Sequence, residues 1–117
     1  MFHSLGKVTI TSGAIPVVAT TNETDPTKRY GCQTMFFQQI QTNTGKLYIC
    51  DRSTASRTTG VGVLAVIPAP TLSGGVASIL PYAAFTVPSA AAALNAVEFW
   101  VAADNDGEAC QICAGKN

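Results

Sequence analysis

Charge is scarce in this chain: seven Lys and Arg stand against seven Asp and Glu, and only 12% of the 117 residues are charged. A formal net charge of zero offers no electrostatic footprint for nucleic acid or for an anionic membrane surface. Long apolar runs are also missing. The longest, Val61 to Ala69, is interrupted by Gly62 and closed by Pro68 and Pro70, well short of the ~18 residues that a membrane helix requires. The first residues, Met1-Phe2-His3-Ser4-Leu5-Gly6-Lys7, lack the basic region and following apolar stretch of a secretory signal, so synthesis in the cytoplasm is expected. Histidine occurs once, at His3, too close to the end of the chain to be held firmly against a nucleophile, and this argues against Ser-His-Asp or Cys-His catalysis.

What is present points to β structure. Hydrophobic residues make up 47% of the chain, enough to build a core, and the length suits one domain over 1–117. The dominant period is two, with Thr, Val and Ile in short runs punctuated by Gly and Pro. That pattern predicts an all-β, two-sheet sandwich of jelly-roll or Greek-key type with about seven to nine short strands. The first strand is expected over Leu5–Thr11, with Val8 and Ile10 inward and Lys7, Thr9 and Thr11 outward. Residues 1–4 are read as a flexible arm reaching a neighbouring subunit. Ile15–Thr21 is expected at an edge because Pro16 cannot donate to a ladder, and Asn22–Tyr30 as a loop.

Cys32–Ile40 carries apolar side chains on both faces, Phe36 and Ile40 on one, Met35 and Phe37 on the other. Asn43-Thr44-Gly45 is a hairpin signal. A loop of Thr42–Gly45 would pair this strand with Lys46–Asp51 and place Leu47 and Ile49 on the face of Phe36 and Ile40. Arg52–Thr59 reads as an exposed loop. Val61–Ile67, apolar on both faces, fits a central strand or one covered by another subunit. Val76–Leu80 and Phe85–Val87 are shorter strand candidates, and Ser89–Leu94, with four consecutive alanines, is read as one helical turn or a packed loop. At the C-terminal end, Ala96–Ala103 and Glu108–Ala114 flank Asp104-Asn105-Asp106-Gly107 and are expected to form a hairpin pairing 103 with 108. Val97, Phe99, Val101, Cys110, Ile112 and Ala114 would then share a core face, with Glu98, Trp100, Gln111 and Cys113 on the other.

No pattern carries catalytic or metal chemistry. Cys110 and Cys113 resemble a metal knuckle, but residues i and i+3 of a strand point to opposite faces and cannot both approach one zinc to ~2.3 Å; Cys32 and Cys50 have no knuckle of their own. Reduced cysteines are the expected state. Of the carboxylates Glu23, Asp25, Asp51, Glu98, Asp104, Asp106 and Glu108, most lie in loops, and Asp104–Glu108 has the chemistry of a turn rather than of a complete calcium loop. The expectation is therefore a protein with no enzymatic activity, metal or cofactor. Its scarce charge and two-faced apolar strands suggest an assembly interface, with Met35, Phe37 and Trp100 as candidate contacts.

Five segments carry a resemblance to small all-β virion proteins of tailed bacteriophages. They are Gly6-Lys7-Val8-Thr9-Ile10-Thr11, Cys32-Gln33-Thr34-Met35-Phe36-Phe37-Gln38, Asn43-Thr44-Gly45-Lys46-Leu47-Tyr48-Ile49, Thr58-Thr59-Gly60-Val61-Gly62-Val63, and Ala96-Val97-Glu98-Phe99-Trp100-Val101-Ala102-Ala103-Asp104 with Gly107-Glu108. Within that group the chain most resembles capsid cement, or head decoration, proteins. The resemblance implies a homotrimer that binds the major capsid protein on the outer surface of the assembled shell and bridges neighbouring capsomers. A tail, baseplate or fibre-tip component, or a lectin-like carbohydrate-binding sandwich, are the alternatives. No catalytic residues carry over.

Overall fold

Short alternating runs separated by Gly, Pro and polar clusters become, among the described residues, twelve strands: β1 (Phe2–Thr9), β2 (Ile15–Pro16), β3 (Gly31–Cys32), β4 (Thr34–Gln39), β5 (Leu47–Cys50), β6 (Val63–Ile67), β7 (Thr71–Ser73), β8 (Val76–Ile79), β9 (Tyr82–Thr86), β10 (Leu94–Asn95), β11 (Trp100–Ala103) and β12 (Ala109–Gly115). The computed structural model describes residues 2–11, 15–16, 31–32, 34–73, 76–86, 94–95 and 99–115, and contains no helix among them. The expected loop at 22–30, most of Ile15–Thr21 and the expected helical turn after Ser89 lie outside the described residues, apart from Leu94 in β10.

One sheet has the order β1-β12-β4-β9 and the other β2-β11-β5-β6, with two-stranded ribbons β10-β3 and β7-β8 beside them. Every pairing is antiparallel. The pairs β1–β12, β2–β11, β3–β10 and β4–β9 are nested one inside the next. Rolling that folded-back ribbon around itself adds β12–β4 and β11–β5. Taken in chain order, the eight strands of the two large sheets then read first, eighth, third, sixth in one sheet and second, seventh, fourth, fifth in the other. This is jelly-roll topology, the double Greek key of two packed sheets.

The core lies between the sheets. Val8, Met35, Phe37, Cys110, Ile112 and Ala114 from the first sheet meet Leu47, Ile49, Ile67, Val101 and Ala103 from the second, all buried. Phe37, Phe85 and Phe99 form a ring cluster across the gap, with centroids 5.3–5.8 Å apart, a spacing at which aromatic pairs attract beyond simple burial. Along β1 and the two residues after it the alternation is as expected: Val8 and Ile10 are buried, while Lys7, Thr9 and Thr11 are exposed. Phe2, His3 and Ser4 run on as the start of this strand, opposite Gly115, Ala114 and Cys113. A bulge between Ser4 and Gly6 shifts the register, and Gly6 takes the positive φ of 96° that the bulge requires. Pro16 sits on an edge strand, as expected.

Three expectations are corrected. First, β4 and β5 are not a hairpin, because residues 40–46 carry the chain from one sheet to the other. Met35 and Phe37, not Phe36 and Ile40, share the core with Leu47 and Ile49. Both faces of β4 are apolar, so hydrophobicity did not choose between them, and the expected face followed from the register of a hairpin that does not form. Second, β11 and β12 are not a hairpin either: β11 pairs with β2 and β5, and β12 with β1 and β4. The shared core face of Phe99, Val101, Cys110, Ile112 and Ala114 is real, Val97 lying outside the described residues, but these strands meet across the core and not side by side. Third, of the two settings expected for Val61–Ile67, the central one is excluded, since β6 is the edge of its sheet.

Candidate functional site

At one end of the sandwich, loops from both sheets are tied by buried polar groups. Glu108 accepts hydrogen bonds from the backbone N–H of Thr44 and from that of Gly45 at 3.1 Å, and from the Asn105 amide at 3.2 Å. Asn43 donates to the Ala109 carbonyl at 2.5 Å and accepts from the Ala109 N–H at 3.0 Å, a side chain imitating a ladder pair. It also donates to Oε1 of Gln39 at 2.7 Å. Nε2 of Gln39 in turn donates to the carbonyls of Gly45, Ile67 and Pro68. All three side chains, Gln39, Asn43 and Glu108, are buried, and among the described residues no buried side-chain nitrogen or oxygen lacks a partner. Satisfied in this way, buried polar groups hold loops rigidly; left unpaired, they would be costly.

Gly45 is part of the same junction. A Cβ there would lie 2.8 Å from the Asp104 Cβ and from Glu108 Oε1, and 2.9 Å from Asn105 Nδ2. Asp104 accepts from the Lys46 N–H at 3.0 Å and from the Tyr48 hydroxyl at 2.7 Å. The Lys46 backbone donor, and then Tyr48, hold the Asp104 carboxyl below the usual carboxylate range, while Asp104 pushes the Tyr48 phenol up. The chemistry of this end is structural. It joins two sheet-to-sheet crossings, and its acceptors are occupied by the protein's own donors.

A different surface runs along the side formed by β6 and β9, the edge strands of their respective sheets. Among the described residues the large exposed hydrophobic ones, Val61, Leu64, Val66, Leu80 and Tyr82, belong to these strands or to the two residues that precede each, with Leu64 and Val66 facing outward from the second sheet and Tyr82 from the first. No Asp, Glu, Lys, Arg or His occurs between Arg57 and Glu98, the segment that supplies both edges. That charge-free interval was the signal in the sequence for this flank, and reading strand by strand passed over it. The loop before β6 is tied down: Arg57 donates to the Ala103 carbonyl, and Asp51 N–H and Ser56 N–H bond to the carbonyls of Gly62 and Val61 at 2.9 Å.

The outer face of the first sheet carries a third feature, an open concavity of about 460 Å³ lined by Phe36, Gln38, Tyr82, Gln111 and Cys113. The strand register sets Gln111 opposite Gln38, Gln38 opposite Tyr82, and Cys113 opposite Phe36. The Phe36 and Tyr82 rings lie 5.3 Å apart and tilted by 41°.

Of the expected contact residues, Met35 and Phe37 are wholly buried within this chain's own core, while their neighbours Phe36 and Gln38 lie on the outward face. Trp100 lies half-buried on the outer face of β11, opposite Cys50 and Pro16. Cys110 and Cys113 face opposite sides of β12: Cys110 in the core, its thiol pushed up to about 12 by burial, and Cys113 in the concavity. Cys50 is buried, and burial raises its thiol as well. Comparison with protein-family models, with curated proteins and with solved structures finds no match to this chain.

Proposed function

We propose that the protein is a non-enzymatic virion subunit of a tailed bacteriophage, a capsid cement that assembles through its β6/β9 flank. The observation that carries this reading is the flank itself: two strands that end their sheets among the described residues, with Val61, Leu64, Val66, Leu80 and Tyr82 exposed, in a segment without a single charged residue. Strand edges normally carry charges, Pro or inward-turned ends that discourage pairing. Clustered apolar surface at such edges favours a protein partner. The jelly-roll order supports the reading as fold-level analogy, since it recurs in viral shells, although lectins and cupins share it.

On this reading the flank joins copies of the chain, as a homotrimer, and the assembled trimer binds the major capsid protein on the outer surface of the shell. Cement acts by mass action: a ligand that binds only the assembled shell stabilises it by about 2.7 kcal/mol at 100 times its dissociation constant. The test is co-sedimentation of the purified protein with assembled capsids of the phage that encodes it, followed by heating. Saturable binding, with DNA retained to higher temperature, is expected. A folded protein that leaves the capsids unbound overturns the cement assignment, and binding to isolated tails would identify a tail or baseplate component.

A further inference from the structure

The outer face of the first sheet has a chemistry that the β6/β9 flank lacks. Three neighbouring strands place Gln111, Gln38 and Tyr82 in one lateral row, and Cys113 lies opposite Phe36 in the next. Strands in a sheet are ~4.8 Å apart, so the first row spans roughly 10 Å. These side chains line a depression of about 460 Å³, within the range of small-ligand sites. They project from strands, so their positions are fixed by the ladder rather than by a loop.

We propose that this concavity is a binding site for a neutral saccharide. The Gln38 carboxamide offers both a donor and an acceptor, and a sugar hydroxyl is likewise both. The Tyr82 ring, 61% exposed, and the tilted Phe36 ring beside it provide apolar surfaces for the C–H face of a pyranose. None of the five lining residues is an acid or a base of the Asp, Glu, Lys, Arg or His type, so nothing there offsets the desolvation of a phosphate, a carboxylate or a charged peptide. Lys7, opposite Gln111 on β1 and exposed, is the neighbouring charge in the register and stands outside the lining. The site is open, so binding in the millimolar range is expected, about −4 kcal/mol.

The test is a titration of isotope-labelled protein, followed by NMR, with glucose, galactose, mannose, N-acetylglucosamine and their disaccharides, with glucose 6-phosphate as the charged control. A neutral sugar is expected to shift the side-chain amide signals of Gln38 and Gln111, and to bind at least tenfold more weakly to Tyr82→Ala and Gln38→Ala. Both side chains point away from the core, and unchanged core signals would show that the variants fold. Tyr82 is shared with the flank, so the two surfaces are separated by the other variants: Leu64→Lys, Val66→Lys, which alters the flank away from Tyr82, is expected to bind sugar normally, and Gln38→Ala, which lies off the flank, is expected to keep the native mass of the wild type. No shift with any neutral sugar overturns the proposal. So does binding that is insensitive to both variants, stronger binding of the phosphorylated sugar, or shifts at these residues that appear only when the protein self-associates.

Discussion

The two sides of this jelly roll are built on opposite principles. At the loop end, Gln39, Asn43 and Glu108 are buried and every one is bonded to backbone or amide groups of a neighbouring crossing. Along the β6/β9 flank the strands themselves carry no charged residue, the Asp51–Arg52 pair lies only beside Gly62 at one end, and large apolar side chains stand in solvent. The first arrangement is complete within one chain; the second is complete only when something covers it. Polar groups are therefore spent on fixing the architecture where the chain changes sheets, and apolar surface is left where strands end a sheet.

Changes at the loop end should cost stability, and changes at the flank should not. The largest effect is expected for Glu108→Ala, which strands the N–H groups of Thr44 and Gly45 in a buried junction. Urea unfolding should show a loss of roughly 3 kcal/mol; a loss under about 0.5 kcal/mol, the range of neutral surface changes, would mean that the junction is not what holds the crossings. Gly45→Ala is next, at roughly 2 kcal/mol, because the new Cβ must displace Asp104, Asn105 or Glu108. A wild-type melting curve would contradict the close approach.

A smaller effect concerns pH. The folded protein holds the Asp104 carboxyl below its usual range, so the stabilisation it brings is present above about pH 4, the unfolded value, and is lost as pH falls through the lower folded value. Acid unfolding of Asp104→Asn should be measurably less steep over that window, and an identical profile would remove Asp104 from the account. The smallest effect is chemical. Cys113, on the outer concavity, should react with a thiol reagent in the native protein, whereas Cys110, buried and pushed up to about 12, should stay silent until unfolding. Equal labelling of both would place β12 the wrong way round.

The comparison also explains what could be read from the residues alone. Alternation in β1, and the inward set of Phe99, Val101, Cys110, Ile112 and Ala114, were legible because one face of each strand is clearly more apolar than the other. Pairing was not legible. Two strands that share a core face can lie beside each other or face each other across the gap, and the hydrophobic pattern is the same in both. Asn43-Thr44-Gly45 and Asp104-Asn105-Asp106-Gly107 look like hairpin turns for the same reason that they work as crossings: short polar and glycine residues serve either purpose. Only the long-range bonds of Asn43 and Glu108, to residues more than sixty positions away, distinguish the two, and no local window contains them. In β4 the assumed hairpin register misdirected the choice of face, and the inward Gln39 is accommodated only because three carbonyls from elsewhere in the chain accept from its amide. The flank is the converse case: its exposed apolar residues look like core until the topology shows β6 at an edge.

That the β6/β9 flank joins copies of this chain is tested most directly by native mass from light scattering, under reducing conditions, for the wild type beside the Leu64→Lys, Val66→Lys double variant. Both substituted side chains are about half exposed, so the variant should unfold within about 0.5 kcal/mol of the wild type. A wild type with the mass of a trimer and a folded variant with the mass of a monomer is the predicted result. A monomeric wild type, or two proteins of equal mass, would contradict it.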